Sequence, residues 1–293
     1  MKTTACVLMI LIAIMFGLEP GMAQTKGLLW QISGKNIKQP TYLYGTIHMF
    51  DTSMYKVPSI VMSKLSTVKK VYFELAFNEG TLAEQRQHAM VADSTQQIDK
   101  LMDAASLAKF NDAIKDHPAT KKLGPLIYRF KPIFITPMLL TNGKTVTIDM
   151  EMFKQASKQK IAVGGLETVA EQMKAIDAMP MDKQVKIMEV FLKQYKGPGP
   201  AIRKITEAYV KQDVDHLTEA MGEGGPVDAN FNKVVLVNRN RIMASRISKA
   251  VGGESMMFAV GAGHLGGDNG LIALLLKKGY TLTPISFKFA KAD

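Results

Sequence analysis

Two short motifs near opposite ends of the chain share the pattern Gly-x-x-His, and both could do chemistry. They are Gly45–His48 and Gly261–His264, and each follows an apolar run that predicts a buried strand. Both histidines are therefore expected at the carboxyl ends of strands, the edge at which open α/β sheets bind ligands. An imidazole there can bind a metal, transfer a proton, or only make a structural hydrogen bond. The repeated motif leaves the ligand and the structural role equally open.

Carboxylates follow two further predicted strands. Glu74 closes the apolar run Val71–Leu75, and Glu167 follows the short run Ile161–Val163. If Glu74 is buried, it must be paired, protonated or bound to a metal, because an isolated buried charge is very costly. Otherwise it lies at an exposed strand terminus. Glu167 is a third candidate at a strand end, although its place before a helix that opens with the capping box Thr168–Glu171 explains it equally well.

The C-terminal motif lies in a glycine-dense turn between a predicted strand, Met257–Val260, and a predicted helix. Gly261 and Gly263 would let the backbone turn sharply and approach another group closely. The stretch from Gly261 to Gly266 also matches the dinucleotide pattern G-x-G-x-x-G, which needs an acidic residue about 20 positions on, at the end of a second strand. The segment Tyr280–Phe289 contains no Asp or Glu. A dinucleotide site is therefore not favoured.

The elements that must position these residues alternate between strands and helices. Leu28–Ser33 and Thr41–Ile47 predict a β-hairpin, and the region of about 80–220 is predicted as mostly helical. Within that region, Arg129–Leu140 is strongly apolar but short and interrupted by prolines. We expect a broken helix packed in the core rather than a membrane segment.

A further helix is predicted over Phe231–Val251, before the last strands. It carries Arg239 and Arg241, which either steer an anionic group of a substrate or are only solvated. Another helix is predicted directly after the glycine-dense turn. Asp268 or Asn269 is expected to cap its start, and Gly279 is expected to end it in a left-handed conformation.

The first residues have the pattern of a secretory signal peptide: the basic residue Lys2, the apolar run Ala5–Leu18 and the small residues Gly21–Ala23. We expect cleavage after residue 23, a mature domain over 24–293, and export to the periplasm or the medium. An uncleaved anchor is the alternative, and this segment would be the only contact with a membrane. Cys6 lies inside the apolar run, so the mature chain has no disulfide, thiolate nucleophile or cysteine-bound zinc.

The formal net charge is +11 at pH 7. The lysines and arginines are scattered along helix-like segments without interleaved aromatic residues, so a solvated basic surface is favoured over nucleic-acid binding. The expected partner is a peptide or a small molecule. The three other histidines, His88, His117 and His216, are expected to face solvent.

Six blocks of the chain resemble, in order, those of the TraB/GumN family, which includes the Tiki metalloproteases that inactivate Wnt. The specific feature of that family is a pair of Gly-x-x-His motifs with a strand-end glutamate, and both motifs are intact here. The blocks are TYLYGTIH, VYFEL, RFKPIFITPMLL, IDMEMFKQASKQKIAVGGLETVAEQ, VNRNRI and FAVGAGHLGGDNGLIALLLKKGYTLTPI.

The resemblance implies a fold of the erythromycin-esterase-like and ChaN-like group. This is a single α/β domain with a central mixed β-sheet built from two halves, flanked and inserted by helices. It also implies that His48, Glu74 and His264 hold a divalent metal, manganese or cobalt as in Tiki-like chemistry, with zinc as a further candidate. The helix motif H-E-x-x-H is absent, so the chain is not expected to be a zincin.

Two functions of different classes are consistent with these residues. In the first, the chain is a metal-dependent hydrolase that resembles the Tiki metallopeptidases and cleaves a peptide or another acyl bond in the cell envelope, with Glu167 or a second carboxylate taking a proton. In the second, the same cleft is a non-catalytic binding module for a peptide signal or a cofactor such as haem. Metal-dependent turnover separates the two.

Overall fold

The computed structural model describes residues 26–35, 37–215, 217 and 233–293. The predicted signal peptide with Cys6 lies outside these residues, and so does His216. All the candidate site residues lie within them. In this part of the chain, no helix combines the length and the apolar character that crossing a bilayer requires.

The centre of the molecule is a six-stranded mixed sheet in the order β6-β4-β7-β2-β1-β8, with a separate two-stranded pair of β3 and β5. The strands are β1 Leu29–Ser33, β2 Thr41–Thr46, β3 Phe50–Asp51, β4 Lys70–Phe73, β5 Thr145–Val146, β6 Ala162–Gly165, β7 Met256–Gly261 and β8 Thr281–Pro284. The neighbours β6, β4, β7 and β2 are parallel, whereas β1 is antiparallel to both β2 and β8. The predicted hairpin of β1 and β2 is confirmed.

Helices flank the sheet and fill the middle of the chain. They are α1 Ser59–Leu65, α2 Glu79–His88, α3 Ile98–Leu101, α4 Ala104–Lys115, α5 Pro132–Leu140, α6 Ile148–Lys158, α7 Val169–Asp177, α8 Met181–Gln194, α9 Pro200–Val210, α10 Arg239–Ala250 and α11 Leu271–Lys277. Short 3₁₀ segments are Ser94–Gln96, Lys121–Arg129 and Ala262–His264, and a π-helical segment, Lys233–Asn238, leads into α10.

The central strands β2 and β7 come from opposite ends of the chain. All of β2 is buried, and so is β7 up to its last residue, as expected for strands covered on both faces. They pair in parallel from Thr41 opposite Met256 to Thr46 opposite Gly261, with β4 parallel on the other side of β7. The predicted single α/β domain with a central mixed sheet is therefore confirmed, and its parallel strands end at one edge.

The middle region builds a second hydrophobic cluster of its own. Its buried residues are Ile98, Met102, Phe110, Ile127, Ile135, Leu139, Val185, Met188 and Leu192. The expected core position of the apolar stretch is confirmed, because Ile135 and Leu139 of α5 are fully buried there. The helical break lies before Pro132, where α5 begins, and the helix continues through Pro137.

Two local expectations are wrong. His117 is buried rather than solvent-facing: its Nε2 lies 3.0 Å from the Thr141 carbonyl oxygen, and its Nδ1 accepts the Ala119 N–H at 3.2 Å. Gly270, not Asp268 or Asn269, occupies the N-cap position of α11, without a side-chain cap. His88 is exposed as expected, and Gly279 has the expected positive φ, 82°.

Candidate functional site

Three residues expected from the sequence lie at the carboxyl edge of the sheet. Thr46, the last residue of β2, is paired with Gly261, the last residue of β7. His48 follows two positions after the end of β2, and His264 closes the 3₁₀ turn after β7. Glu74 comes directly after β4, on the other side of β7. The expectation that these three strand ends belong to one sheet is confirmed.

The glycines of the motifs differ in how much the packing needs them. A Cβ on Gly45 would lie 2.6 Å from Leu265 Cδ1 and 3.1 Å from Ala262 Cα, so the end of β2 packs directly against the turn of the other motif. A Cβ on Gly261 would lie 3.1 Å from a Glu74 oxygen. At Gly263 a Cβ would meet nothing within 4 Å. The absence of a side chain at Gly45 and Gly261 therefore lets neighbouring groups pack closely against the backbone. No neighbouring group packs closely against Gly263.

The Glu74 side chain is only 12% exposed, and both of its oxygens accept hydrogen bonds. Its Oε1 accepts the Gly261 N–H at 2.8 Å and lies 3.6 Å from His264 Nε2. Its Oε2 accepts from Arg239 Nη2 at 2.6 Å and from Gln172 Nε2 at 3.3 Å. Burial disfavours the charged form, but His264, which is charged once it is protonated in acid, and Arg239 outweigh burial and hold the pKa of Glu74 well below its usual range. Glu74 is therefore a carboxylate, and pairing is what permits its burial.

His264 is held in one orientation by an amide. Its Nδ1 lies 2.6 Å from Asn240 Oδ1. The Asn240 amide nitrogen donates to the Asn269 carbonyl oxygen at 2.8 Å, so Oδ1 is the atom that faces the ring and accepts the Nδ1 proton. Burial outweighs the attraction of Glu74 and lowers the pKa of His264 to about 4. At neutral pH the ring is neutral, and the lone pair on Nε2 faces the Glu74 carboxylate.

A buried arginine joins the two predicted carboxylates. Arg239, the first residue of α10, binds Glu167 through Nε at 3.0 Å and Nη2 at 2.6 Å, and the same Nη2 binds Glu74. The Glu167 side chain has no exposed area, and burial raises its pKa although Arg239 binds both of its oxygens. Glu167 therefore holds Arg239 and has no free oxygen facing the edge. Arg241 is exposed.

The capping box expected at the start of α7 is present and carries a second ion pair. Thr168 and Glu171 cap each other's backbone. Arg246 of α10 binds both Glu171 oxygens, at 2.7 and 2.8 Å, and donates to the Leu166 carbonyl oxygen at 2.8 Å. Arg246 lowers the pKa of Glu171 to about 2. Helix α7, which supplies Gln172 to Glu74, is thereby fixed against α10.

His48 has a different environment. Its side chain is 65% exposed, and its Nδ1 lies 3.3 Å from Asp149 Oδ2. Asp149 is buried, and its Oδ1 accepts the Thr46 hydroxyl at 2.7 Å. Desolvation favours the neutral ring, but the Asp149 carboxylate outweighs it and raises the pKa of His48 to about 9. The exposed histidine therefore faces a buried carboxylate of its own rather than Glu74.

The start of α6 is docked onto the N-terminal motif at three consecutive positions. Besides the Thr46–Asp149 bond, the Ile148 N–H donates to the Ile47 carbonyl oxygen at 3.0 Å, and the Thr147 hydroxyl donates to the His48 carbonyl oxygen at 3.0 Å. Asp149 is not among the site residues expected from the sequence. The available signal was that Asp149 shares a helix face with the apolar residues Met152 and Ala156, at i+3 and i+7.

Buried tyrosines anchor the other side of this motif. The Tyr209 hydroxyl of α9 donates to the Gly45 carbonyl oxygen at 2.6 Å, so the Tyr44 hydroxyl must be the donor in the 2.7 Å contact between the two tyrosines. Both side chains are fully buried, and burial raises the pKa of each hydroxyl. Two helices, α6 and α9, therefore fix the backbone that leads to His48.

The donors at this edge fit a divalent metal in chemical type. They are two imidazoles and the carboxylates of Glu74 and Asp149, and Asp149 Oδ2 has no hydrogen-bond partner among the described residues although it is buried. In the same part of the chain, no three His, Cys, Asp or Glu side chains stand close enough to hold a metal as they are. Glu74 and His264 would be the buried part of such a site, and His48 would be its exposed part.

A model of the TraB/PrgY/gumN family matches residues 28–284, from the residue before β1 to the end of β8. No curated protein matches the sequence.

Proposed function

The chain belongs to the TraB/PrgY/gumN family, and we propose that it is a metal-dependent hydrolase that uses the carboxyl edge of its sheet. The substrate proposed is a peptide of the envelope or the extracellular space, cleaved by Tiki-like metallopeptidase chemistry. The proposed location is the periplasm or the medium, reached by means of the N-terminal signal segment. A divalent metal, manganese or cobalt with zinc as a further candidate, is proposed as the cofactor.

One observation carries the proposal: two lone-pair atoms face each other across 3.6 Å at the edge. His264 Nε2 bears no proton, because the lowered pKa of His264 keeps the ring neutral and its one proton lies on Nδ1, which donates to Asn240; Glu74 Oε1 is a carboxylate oxygen. Neither atom can donate a hydrogen bond to the other. A cation bound by both would turn this repulsion into attraction, and imidazole and carboxylate are ordinary ligands of manganese, cobalt and zinc.

The proposed metal-holding residues are His48, Glu74 and His264. When bound, a divalent metal would polarise the carbonyl group to be cleaved and lower the pKa of a water molecule. The chain's own residues prepare the place for it. Arg239, Gln172 and the Gly261 N–H keep the Glu74 carboxylate ionised and in one orientation.

The supporting residues have distinct parts in this proposal. Glu167 positions Arg239 instead of taking a proton, because both of its oxygens are bound and its side chain has no exposed area. Arg241, exposed two residues after Arg239, is the candidate for contact with an anionic group of the substrate. Asp149 is the second carboxylate of the edge, with one oxygen left unbonded beside His48.

The test combines metal content with turnover. Elemental analysis of the purified full chain is paired with cleavage of a peptide library, with and without EDTA. We expect a bound divalent metal and cleavage that EDTA abolishes. His264→Ala should lose both, whereas His88→Ala, which removes an exposed histidine of α2, should keep both. Tight retention of a peptide or haem without turnover would overturn the proposal in favour of a binding module.

Export is tested separately. N-terminal mass spectrometry of protein recovered from the periplasm or medium should find a chain that begins near Gln24. Recovery of Met1 in a membrane fraction would instead identify an uncleaved anchor.

A further inference from the structure

The two motif histidines share a feature that the Gly-x-x-His pattern does not encode. A buried side-chain oxygen lies against Nδ1 of each ring: Asn240 Oδ1 at 2.6 Å from His264, and Asp149 Oδ2 at 3.3 Å from His48. Asn240 is 3% exposed and Asp149 is 4% exposed. The two acceptors come from different helices, α10 and α6, so one shared element does not account for the arrangement.

Each acceptor is itself fixed. Asn240 cannot present its amide group the other way round, because its nitrogen donates to the Asn269 carbonyl oxygen. Asp149 is held by the Thr46 hydroxyl on Oδ1. Its Oδ2 makes no aligned hydrogen bond to a described residue and lies within ion-pair distance of His48 Nδ1, at 3.3 Å. A carboxylate and an amide oxygen have no proton to give, so a ring nitrogen facing either one must be the donor.

We propose that Asn240 and Asp149 are matched positioning residues, which keep a proton on Nδ1 of each imidazole, so that Nε2 is the nitrogen of each ring that is left to bind a metal, in His48 once Nε2 has given up its own proton. Histidines that bind metals generally donate their other ring N–H to such an outer acceptor, which fixes the tautomer and the ring orientation. The stronger acceptor, the carboxylate, is on the exposed ring, where water would otherwise compete for the same nitrogen. The purpose of the pair rests on the proposed function, but the position of the proton does not.

The tautomers can be read directly by long-range ¹H–¹⁵N NMR of the metal-free full chain, with ring signals assigned by single His→Gln variants. Spectra at about pH 10, above the raised pKa of His48, keep the imidazoles neutral. We expect both motif histidines to carry the proton on Nδ1. His117 supplies an internal reference of the opposite kind, since its Nδ1 accepts the Ala119 N–H and its proton must lie on Nε2.

Variants then show whether the two acceptors set the tautomer. Asn240→Ala should shift His264 towards the Nε2–H form and leave His48 unchanged, and Asp149→Ala should do the reverse. Asp149→Asn should restore the wild-type form of His48, because an amide can turn its oxygen to the ring and its nitrogen to the Thr46 hydroxyl. Should an alanine variant fail to fold, as judged by circular dichroism, the wild-type spectrum alone decides: a proton on Nε2 of either motif histidine overturns the proposal.

Calorimetric titration with Mn²⁺ and with Zn²⁺ separates this inference from the proposed function. If the wild type binds metal, each alanine variant should bind it about 10–100-fold more weakly, and Asp149→Asn should recover part of the loss. If the wild type binds no metal while both rings carry the proton on Nδ1, the proposed function fails and the positioning pair stands. Unchanged tautomers in both alanine variants would refute the pair, whatever the metal affinity.

Discussion

The two Gly-x-x-His motifs are alike in sequence and unlike in surroundings. The His264 side chain is 6% exposed and is enclosed by Glu74, Asn240 and the arginine behind them. The His48 side chain is 65% exposed and touches one buried carboxylate, Asp149. Both follow parallel neighbouring strands, so the motif sets where a histidine stands along the sheet edge. What covers the histidine is decided by the helix that packs beside it.

The half of the site around His264 depends on buried charge. Arg239 lies between two carboxylates whose side chains are 12% and 0% exposed, and Arg246 binds a third nearby. The half around His48 has one charged pair, the exposed His48 with Asp149, and otherwise depends on neutral hydrogen bonds, from Tyr209 to one backbone oxygen and from the start of α6 to others. We therefore expect substitutions in the C-terminal half to cost more stability, and to respond more to acid, than substitutions in the N-terminal half.

The largest effect is expected from Arg239→Ala. It would leave Glu74 and Glu167 buried beside each other without their cation, and removing one partner of a buried pair costs about 3–5 kcal/mol. Arg241→Ala removes an exposed arginine two residues away and should change the free energy of unfolding by less than about 0.5 kcal/mol. Urea unfolding measures both. A loss below about 1 kcal/mol for Arg239→Ala would mean that the pair behaves as a solvated surface contact.

Replacing each histidine in turn tests the difference in burial. His264→Ala leaves Asn240 Oδ1 buried without its donor, so stability should fall by about 1–3 kcal/mol even if the metal site is lost as well. His48→Ala should cost less, up to about 1 kcal/mol, because its ring is mostly exposed and water screens its pair with Asp149. Equal losses in thermal unfolding would contradict the contrast between the two motifs.

The glycines sharpen the same contrast within the shared pattern. Gly45→Ala would place a methyl group 2.6 Å from Leu265 Cδ1. Because Leu265 is fully buried and cannot move freely, the free energy of unfolding should fall by about 1–3 kcal/mol. Gly263→Ala meets nothing within 4 Å and has no positive φ to strain it. Its free energy of unfolding should match the wild type within about 0.5 kcal/mol. A cost at Gly263 as large as that at Gly45 would show that backbone freedom, not packing, is what the turn needs.

Local patterns in the sequence were enough to predict which side chains lie at the carboxyl edge of the sheet. Apolar runs ending in His48, Glu74 and His264 predicted three strand ends, and one parallel sheet aligns such ends. The bounds of α6 and the capping box of α7 also follow from residues within one turn of each other. These features needed no knowledge of which helix packs on which strand.

The partners of the site residues could not be read in the same way. Arg239 meets Glu74 across 165 positions of the chain, and Asp149 meets Thr46 across 103. Such contacts are fixed by tertiary packing, which a single sequence does not state. A partial signal existed for Arg239, since Met243 and Ile247 follow it at i+4 and i+8 and are buried on the same face of α10. Arg241 lacks that spacing and is exposed.

The smallest effect on stability is expected from Glu171→Gln, and its size should vary with pH. Glu171 caps α7 and binds Arg246, which lowers its pKa from an ordinary value of 4.5 to about 2. A carboxylate with a lowered folded-state pKa stabilises the fold above its unfolded value, and the stabilisation is lost as the pH falls from about 4.5 to about 2. Glu171→Gln should therefore cost about 1 kcal/mol at neutral pH and progressively less in acid.

The matched control is Glu151→Gln in α6, the helix that supports His48. Among the described residues, the ion-pair partner of Glu151 is Lys154, three residues on, whose side chain is 64% exposed. Its replacement should cost less than about 0.5 kcal/mol at any pH, because an exposed pair within one helix contributes little. Urea unfolding of both variants between pH 7 and about pH 3 measures the difference. A Glu171→Gln cost that stays constant over this range would show that the ion pair with Arg246 does not tie α7 to α10, and the expected acid sensitivity of the His264 half would then be lost.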